Sequence, residues 1–322
     1  MRKNILLLLL PVIFISGLLA GYLLTKQLAK CESNYTYVNK AFNCGLKRII
    51  NKSNLMGLRQ KLNLYIESNK KAGNVSEVSI YFRDLHEGPT LGINDDERFF
   101  SASLLKLPIA LVFFKLKEEI PDILKRELNF KTTQDYKPQP QAHKPSKTIS
   151  VGSSYTVEEL IYYSLVYSDN LSNDVLKSTF GIMGDDRQLD LKVFRDLGLI
   201  FPTDNELSDI STRGYASIFR ILYNVSYLGI EDSDKLLSML SQSDFDQGIS
   251  AGVPKDVKVA NKFGERADGQ EKQLHDCGIV YYPGNPYLIC IMTRGGDFTK
   301  LEKVIADISG MVYQEIDSRK LD

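Results

Sequence analysis

Phe99-Phe100-Ser101-Ala102-Ser103-Leu104-Leu105-Lys106-Leu107-Pro108-Ile109-Ala110 is the stretch of this 322-residue chain whose reading decides its fold. An aromatic pair and two small residues lead into Ser103. An apolar run containing Leu107, Ile109, Ala110, Val112, Phe113 and Leu116 follows at helical spacing. A serine at the start of a buried helix is well placed to be a nucleophile. Its Oγ faces solvent, and the helix amino end offers unsatisfied N–H groups and a positive partial charge to a developing oxyanion. Lys106 lies one turn along, on the Ser103 face. Partly desolvated and close to a second cation at Lys262, such a lysine loses its proton readily and serves as general base. Taken alone, an S-x-x-K string arises by chance about once in a chain of this size, and a capping serine with a solvated lysine is its simplest explanation.

Two further strings change that balance. Ser168-Asp169-Asn170 breaks off an amphipathic helix that starts at a capping-box pattern, Thr156 and Glu159, and carries Leu160, Ile161, Tyr163, Leu165 and Val166. Lys262-Phe263-Gly264 follows Val257 and Val259 alternating with Lys258 and Ala260, a pattern that predicts a strand delivering Lys262 at its end. Singly, these are a turn and a solvated strand-end lysine. In this order, the three strings describe a serine nucleophile that needs no histidine.

With all three present, the chain resembles the serine β-lactamase and penicillin-binding protein superfamily, and its length and motif spacing look most like the class A branch. The resemblance covers roughly residues 53–322. It implies that Ser103 is acylated, Lys106 activates it, Ser168 relays a proton to the leaving nitrogen, Asn170 holds the substrate amide and Lys262 supplies positive charge. It further implies that Gly264 lines the substrate and that the backbone N–H groups of Ser103 and Glu265 form the oxyanion hole.

Two departures from the family pattern limit what carries over. The third string of the family has Ser or Thr at its middle place, whose hydroxyl binds the substrate carboxylate. Here that residue is Phe263, so the contact is lost or moved to Arg266. Only twelve residues separate Gly198 from Ser211, too few for the loop that holds the deacylating glutamate in class A enzymes. Glu206 is the acid there with a local resemblance, and a solvated loop carboxylate is its plainer reading. Without that base, water attacks the acyl-enzyme slowly, as in a penicillin-binding protein.

The 40 Lys and Arg balance the 40 Asp and Glu without long runs of either sign, which excludes a nucleic-acid partner. Arg2 and Lys3, the uncharged stretch Ile5 to Leu24 and then Lys26 have the length of a bilayer span. They predict a retained signal anchor over residues 1–24, with a cleaved, secreted form as the alternative. The positive amino end belongs in the cytoplasm and the rest outside, as a single-pass protein of the cell membrane. Residues 25–52 read as a stalk and 53–322 as the catalytic domain. Four cysteines in an exported chain suggest two pairs. Cys277 and Cys290 each lie five residues outside the turn Tyr282-Pro283-Gly284-Asn285, so they face each other across a hairpin at disulfide range. Two buried reduced cysteines are the alternative. Cys31 and Cys44 would close a small loop in the stalk.

Along the domain, Leu55, Leu58, Leu62 and Tyr65 predict a helix and Val78, Ile80 and Phe82 a strand, with a turn at Gly88-Pro89 before a second strand. Residues 131–150 form a loop placed to line the cleft. Leu301, Val304, Ile305, Ile308, Met311 and Val312 form the stripe of a closing helix. Strands from both chain ends with helices between them predict an α/β fold of the α+β type. Its antiparallel sheet is flanked by terminal helices beside an all-helical subdomain, β-lactamase/transpeptidase-like, with the site at their junction.

Gly248-Ile249-Ser250-Ala251-Gly252 matches a nucleophile-elbow string but lacks the preceding strand. His86, His143 and His275 show no metal spacing, and neither a metal nor a cofactor is expected. His275 reads as structural. The function classes are therefore a membrane-anchored serine hydrolase of β-lactam or D-alanyl peptide amides, a slowly deacylating penicillin receptor, and an idle domain that binds peptidoglycan.

Overall fold

The computed structural model of the protein describes residues 15–22, 35–39, 55–86, 88–130, 141–180, 188–199 and 209–319. Strand β9 (Tyr287–Gly295) shows how its layers arise. Tyr287, Ile289 and Ile291 pack into one group of buried side chains and Leu288, Cys290 and Met292 into another. Alternate residues of one strand thus feed two cores, which is why the strand reads as an unbroken apolar run. With β2 (Thr90–Ile93), β1 (Glu77–Asp84), β8 (Glu271–Val280) and β7 (Val259–Asp268) it builds a five-stranded sheet in the order β2-β1-β9-β8-β7, antiparallel throughout, while β3 (Phe99–Phe100) pairs with β6 (Asp209–Ile210) and β4 (Glu127–Asn129) with β5 (Ser154–Thr156).

One face of the sheet is covered by helices from the two ends of the domain, α1 (Met56–Lys71) and α8 (Phe298–Ser318). The expected stripe of α8 is buried at Leu301, Val304, Ile305, Ile308 and Val312, while Met311 is only half-buried against it. On α1 the buried residues are Leu58, Leu62 and Ile66. Against the other face lies the helical subdomain: α2 (Lys106–Glu119), α3 (Val157–Val166), α4 (Asn170–Ser178), α5 (Gln188–Asp196), α6 (Thr212–Tyr223) and α7 (Ile230–Leu240). Helix α2 is buried on nearly all sides, with Leu107, Leu111 and Phe114 fully enclosed. Each such side chain stabilises the fold by about 1.5–3 kcal/mol. Pro108 sits in the first turn of α2, where its missing N–H leaves no hydrogen bond unmade.

Several local expectations hold at the atomic level. The Thr156 hydroxyl accepts from the Glu159 N–H at 3.1 Å while the Glu159 carboxylate accepts from the Thr156 N–H at 2.7 Å, a complete capping box. Cys277 pairs with Cys290 in the ladder and is disulfide-bonded to it, with the turn closed by Asn285 N–H donating to Tyr282 O at 3.1 Å. Gly284 adopts φ +80°, the left-handed conformation that the third place of a type II turn requires.

Other expectations change. Ser103 does not open the long helix but lies in a one-turn 3₁₀ helix, Ala102–Leu105, that feeds it. Lys262 is the fourth residue of β7 and not its last, because the strand continues to Asp268. Ser168-Asp169-Asn170 ends α3 and also begins α4, since the Asp169 carboxylate caps the N–H groups of Leu171 and Ser172. Ser250 sits in a 3₁₀ turn, Ile249–Gly252, between α7 and β7, with no strand delivering it. Among the described residues no helix is long and apolar enough to cross a membrane. Cys31, Cys44, Glu206, residues 131–140 and all but 15–22 of the expected anchor lie outside the described residues.

Candidate active site

The site forms where the Ser103 turn, the α3–α4 junction and the edge strand β7 meet. Three contacts fix the Ser103 turn. Phe100 N–H donates to the Gln273 side chain at 3.1 Å, and Tyr215 OH on α6 donates to Leu104 O at 2.8 Å. His275 Nε2 lies 3.1 Å from Phe100 O, and since a carbonyl only accepts, Nε2 carries the proton. Burial depresses His275 to a pKa of about 3, so it is neutral, and its buried Nδ1 has no partner among the described residues. His275 thus holds the backbone three residues before Ser103.

Ala102 and Ser168 both adopt left-handed backbone conformations, φ +46° and +53°. Such strain in residues other than glycine persists only where neighbours enforce it, and here it sits on both sides of the cleft. Gly264 explains how β7 reaches the turn. A Cβ there would meet Leu104 Cγ at 3.1 Å and both Leu104 N and Ser101 O at 3.2 Å, so glycine lets the strand lie directly against the backbone of the turn without displacing it. Strand β7 is a sheet edge, so one row of its backbone groups is free of ladder bonds.

Two lysines converge on one hydroxyl. Lys106 Nζ donates to Ser168 O at 2.5 Å, Ser168 Oγ at 3.2 Å and Asn170 Oδ1 at 2.7 Å. Lys262 Nζ donates to Ser168 Oγ at 2.9 Å and Phe263 O at 3.0 Å. Both lysines are buried, although lysine is among the residues least often found inside. Burial first, and then the Lys262 charge, hold Lys106 well below the ordinary lysine value against the opposing pull of Asp169 and Asp174. Burial lowers Lys262 to about 7, opposed by Asp276, Asp244 and Glu265. The carboxyl of Asp276, raised by burial to about 6, is held by Asn261 Nδ2 at 2.9 Å and Ile249 N–H at 2.8 Å. Ser103 is half-buried, and its Oγ makes no hydrogen bond among the described residues, a hydroxyl left open to a substrate.

The departures from the expected pattern have structural outcomes. The Phe263 ring is buried, stacked on Phe245 at 4.2 Å, and Lys262 Nζ stands 4.5 Å from its centroid. Arg266 does not replace the lost hydroxyl in this state: it pairs with Asp268 at 2.8 Å and lies over the Phe100 ring at 4.0 Å. Residues 141–150 pack against the α3–α4 junction. Gln141 Nε2 donates to Ser168 O at 3.2 Å, and Thr148 Oγ1 donates to Asp169 at 2.7 Å. Sequence reasoning missed His143, which bridges Glu265 and Glu302. Its signal, a lone histidine between prolines, has no spacing to read.

A sequence profile of the beta-lactamase enzyme family matches residues 57–316, and the chain belongs to that family. It is similar to beta-lactamase VEB-1 of Pseudomonas aeruginosa, 24% identical over 285 residues that span 78% of this chain and 89% of that protein. Its fold is that of a class A beta-lactamase from Mycobacterium abscessus, with 23% identity, a TM-score of 0.65, and coverage of 80% of this chain and 98% of that one. It is likewise the fold of a PBP-A variant solved as an acyl-enzyme complex with penicillin G, with 23% identity, a TM-score of 0.65, and coverage of 81% and 98%.

Proposed function

We propose that the protein is a serine hydrolase that opens β-lactam amides through an acyl-enzyme on Ser103, with a single catalytic domain over residues 53–322. The observation that carries this reading is the convergence of two buried, pKa-lowered lysines on Ser168 beside an unpartnered serine. Solvated surface lysines would keep their ordinary charge and leave Ser103 a weak nucleophile.

In this reading neutral Lys106 takes the Ser103 proton as Oγ attacks the amide carbonyl. The N–H groups of Ser103 and Glu265 hold the oxyanion. Ser168 passes a proton to the leaving nitrogen, drawing on Lys262 through its hydrogen bond. Lys106 already occupies Asn170 Oδ1, which leaves the Asn170 amide N–H groups to a substrate carbonyl. No metal or cofactor has a part in these steps. Fluorescent penicillin tests the reading: it should label the wild type and leave Ser103→Ala dark. Equal labelling of both, or of neither, would reject it.

A second reading, a penicillin-binding protein or D-alanyl peptidase that deacylates slowly, is supported by the short segment between Gly198 and Ser211 and by the likeness to PBP-A. It uses the same acylation chemistry and differs only in the fate of the ester. The amino-terminal stretch, retained as an anchor, would hold the domain outside the cell membrane, where such substrates occur.

A further inference from the structure

We propose that His143 is a positioning residue for this reaction: clamped between Glu265 and Glu302, it fastens residues 141–143 across the edge of β7 and so holds the Gln141 amide on the carbonyl of Ser168. The proposal deepens the hydrolase reading and rests on it.

Glu265 receives the Ala142 N–H at 2.7 Å, the His143 N–H at 3.2 Å and His143 Nδ1, while His143 Nε2 lies 2.7 Å from Glu302 Oε1 on α8. Both ring nitrogens therefore face carboxylate oxygens. A neutral imidazole has one N–H to give, so only the doubly protonated ring satisfies both partners. The ring stands edge-on to Phe245, Phe263 and Phe298, with centroids 5.0, 5.7 and 5.8 Å away. These rings cover part of the ion pairs, and charge-assisted bonds strengthen as water is excluded. Phe263, the residue that departs from the family pattern, is one wall of this cage.

The clasp reaches the reacting groups through Ser168. Its carbonyl accepts from Lys106 Nζ at 2.5 Å and Gln141 Nε2 at 3.2 Å, and these two donors hold the left-handed backbone that points Ser168 Oγ at both lysines. Releasing residues 141–143 removes one of the two. Glu265 also gives its N–H to the oxyanion hole in the reading above, so the residue that anchors the strap is itself part of the site.

The clasp titrates with His143. Burial pulls the imidazole down, but the hydrogen bonds and charges of Glu265 and Glu302 outweigh it, so the pKa is raised above the ordinary histidine value. For a base whose folded pKa is raised, the stabilisation is complete below the unfolded value of about 6.5 and is lost as pH rises through the folded one. The other charged groups around it are Lys272 of β8, 5.3 Å from the Phe298 centroid, Asp244, which accepts the Ser146 N–H at 3.1 Å, Lys262 next to Phe263, and Lys144 and Lys147, which follow His143 in the chain.

Glu302→Gln is the discriminating variant, because Glu302 lies on α8 away from Lys106 and Lys262 and its loss removes one carboxylate from the clasp. Amide hydrogen exchange at Ala142 and His143, followed against pH in the full-length protein, should show protection lost at a lower pH in Glu302→Gln than in the wild type. The alkaline limb of penicillin acylation should move by the same amount, while a limb set by Lys262 would stay in place. His143→Ala should acylate about tenfold more slowly at pH 6 and lose that limb. Exchange at these two amides that is the same in wild type and variant overturns the clasp. A shifted exchange profile with unmoved acylation overturns its link to Ser168. A wild type that no penicillin labels would count against the hydrolase reading, and the exchange data would still decide the clasp.

Discussion

Lys106 and Lys262 donate to the same Ser168 hydroxyl, and the behaviour of the site follows from that sharing. Lys106 acts as a base only when neutral, so acylation should rise with pH through its titration. The charge on Lys262 is the second cause of its lowered value after burial, and removing that charge relieves the repulsion felt by protonated Lys106. Lys262→Met should therefore move the acid limb of the acylation rate to higher pH, as well as weakening capture of anionic substrates. A limb that stays in place, or moves to lower pH, would show that Lys262 does not set the charge of Lys106. Lys106→Ala should slow acylation by roughly 10²–10⁴-fold, the usual scale of a lost general base, measured as the rate of penicillin adduct formation. At this scale the sequence was legible where a residue type belongs to a spaced string, since folding brings Lys106, Ser168, Asn170 and Lys262 of the three strings into one hydrogen-bonded group. His143 was illegible because its partners come from Glu265 and Glu302, 122 and 159 residues away, and only folding brings them together.

Strand β7 and the Ala102–Leu105 turn act as one element, joined at Gly264. A methyl group there demands that Leu104 and Ser101 yield by a few tenths of an ångström. Because backbone N–H and C=O groups form the contact, the Ser103 turn would shift with respect to Glu265 N–H. Gly264→Ala should slow acylation about tenfold, since small misplacements of reacting groups are costly. A lower thermal midpoint with an unchanged acylation rate would mean that the contact serves folding and not the site. The hairpin of β8 and β9 was fully legible, because a Pro-Gly turn fixes register and register fixes which residues face each other. Strand length was less so. The predicted end of β7 at Lys262 followed the apolar alternation, but the ladder with β8 carries it on through charged residues to Asp268. Pairing with a neighbour, and not burial, sustains that part of the strand.

For the whole molecule, the two-sided sheet with terminal helices on one face and a helical subdomain on the other places the cleft at their seam. That architecture was legible from the order of patterned segments, since strands at both ends of a domain must pair with each other to complete a sheet. How fast the enzyme turns over was not, because the segment between Gly198 and Ser211 departs from the family pattern. Glu206 is the candidate that the sequence offers. If it activates water, Glu206→Gln should slow the steady-state release of hydrolysed β-lactam by roughly 100-fold while sparing the initial burst. An unchanged slow phase would place the protein with the slowly deacylating receptors. The central claim, a covalent acyl-enzyme on Ser103, is tested most directly by intact-protein mass spectrometry with peptide mapping after mixing the protein with penicillin G. A mass gain of one penicillin per chain is expected, located on Ser103 and absent from Ser103→Ala. An unmodified chain after prolonged exposure, or an adduct on another residue, would contradict it.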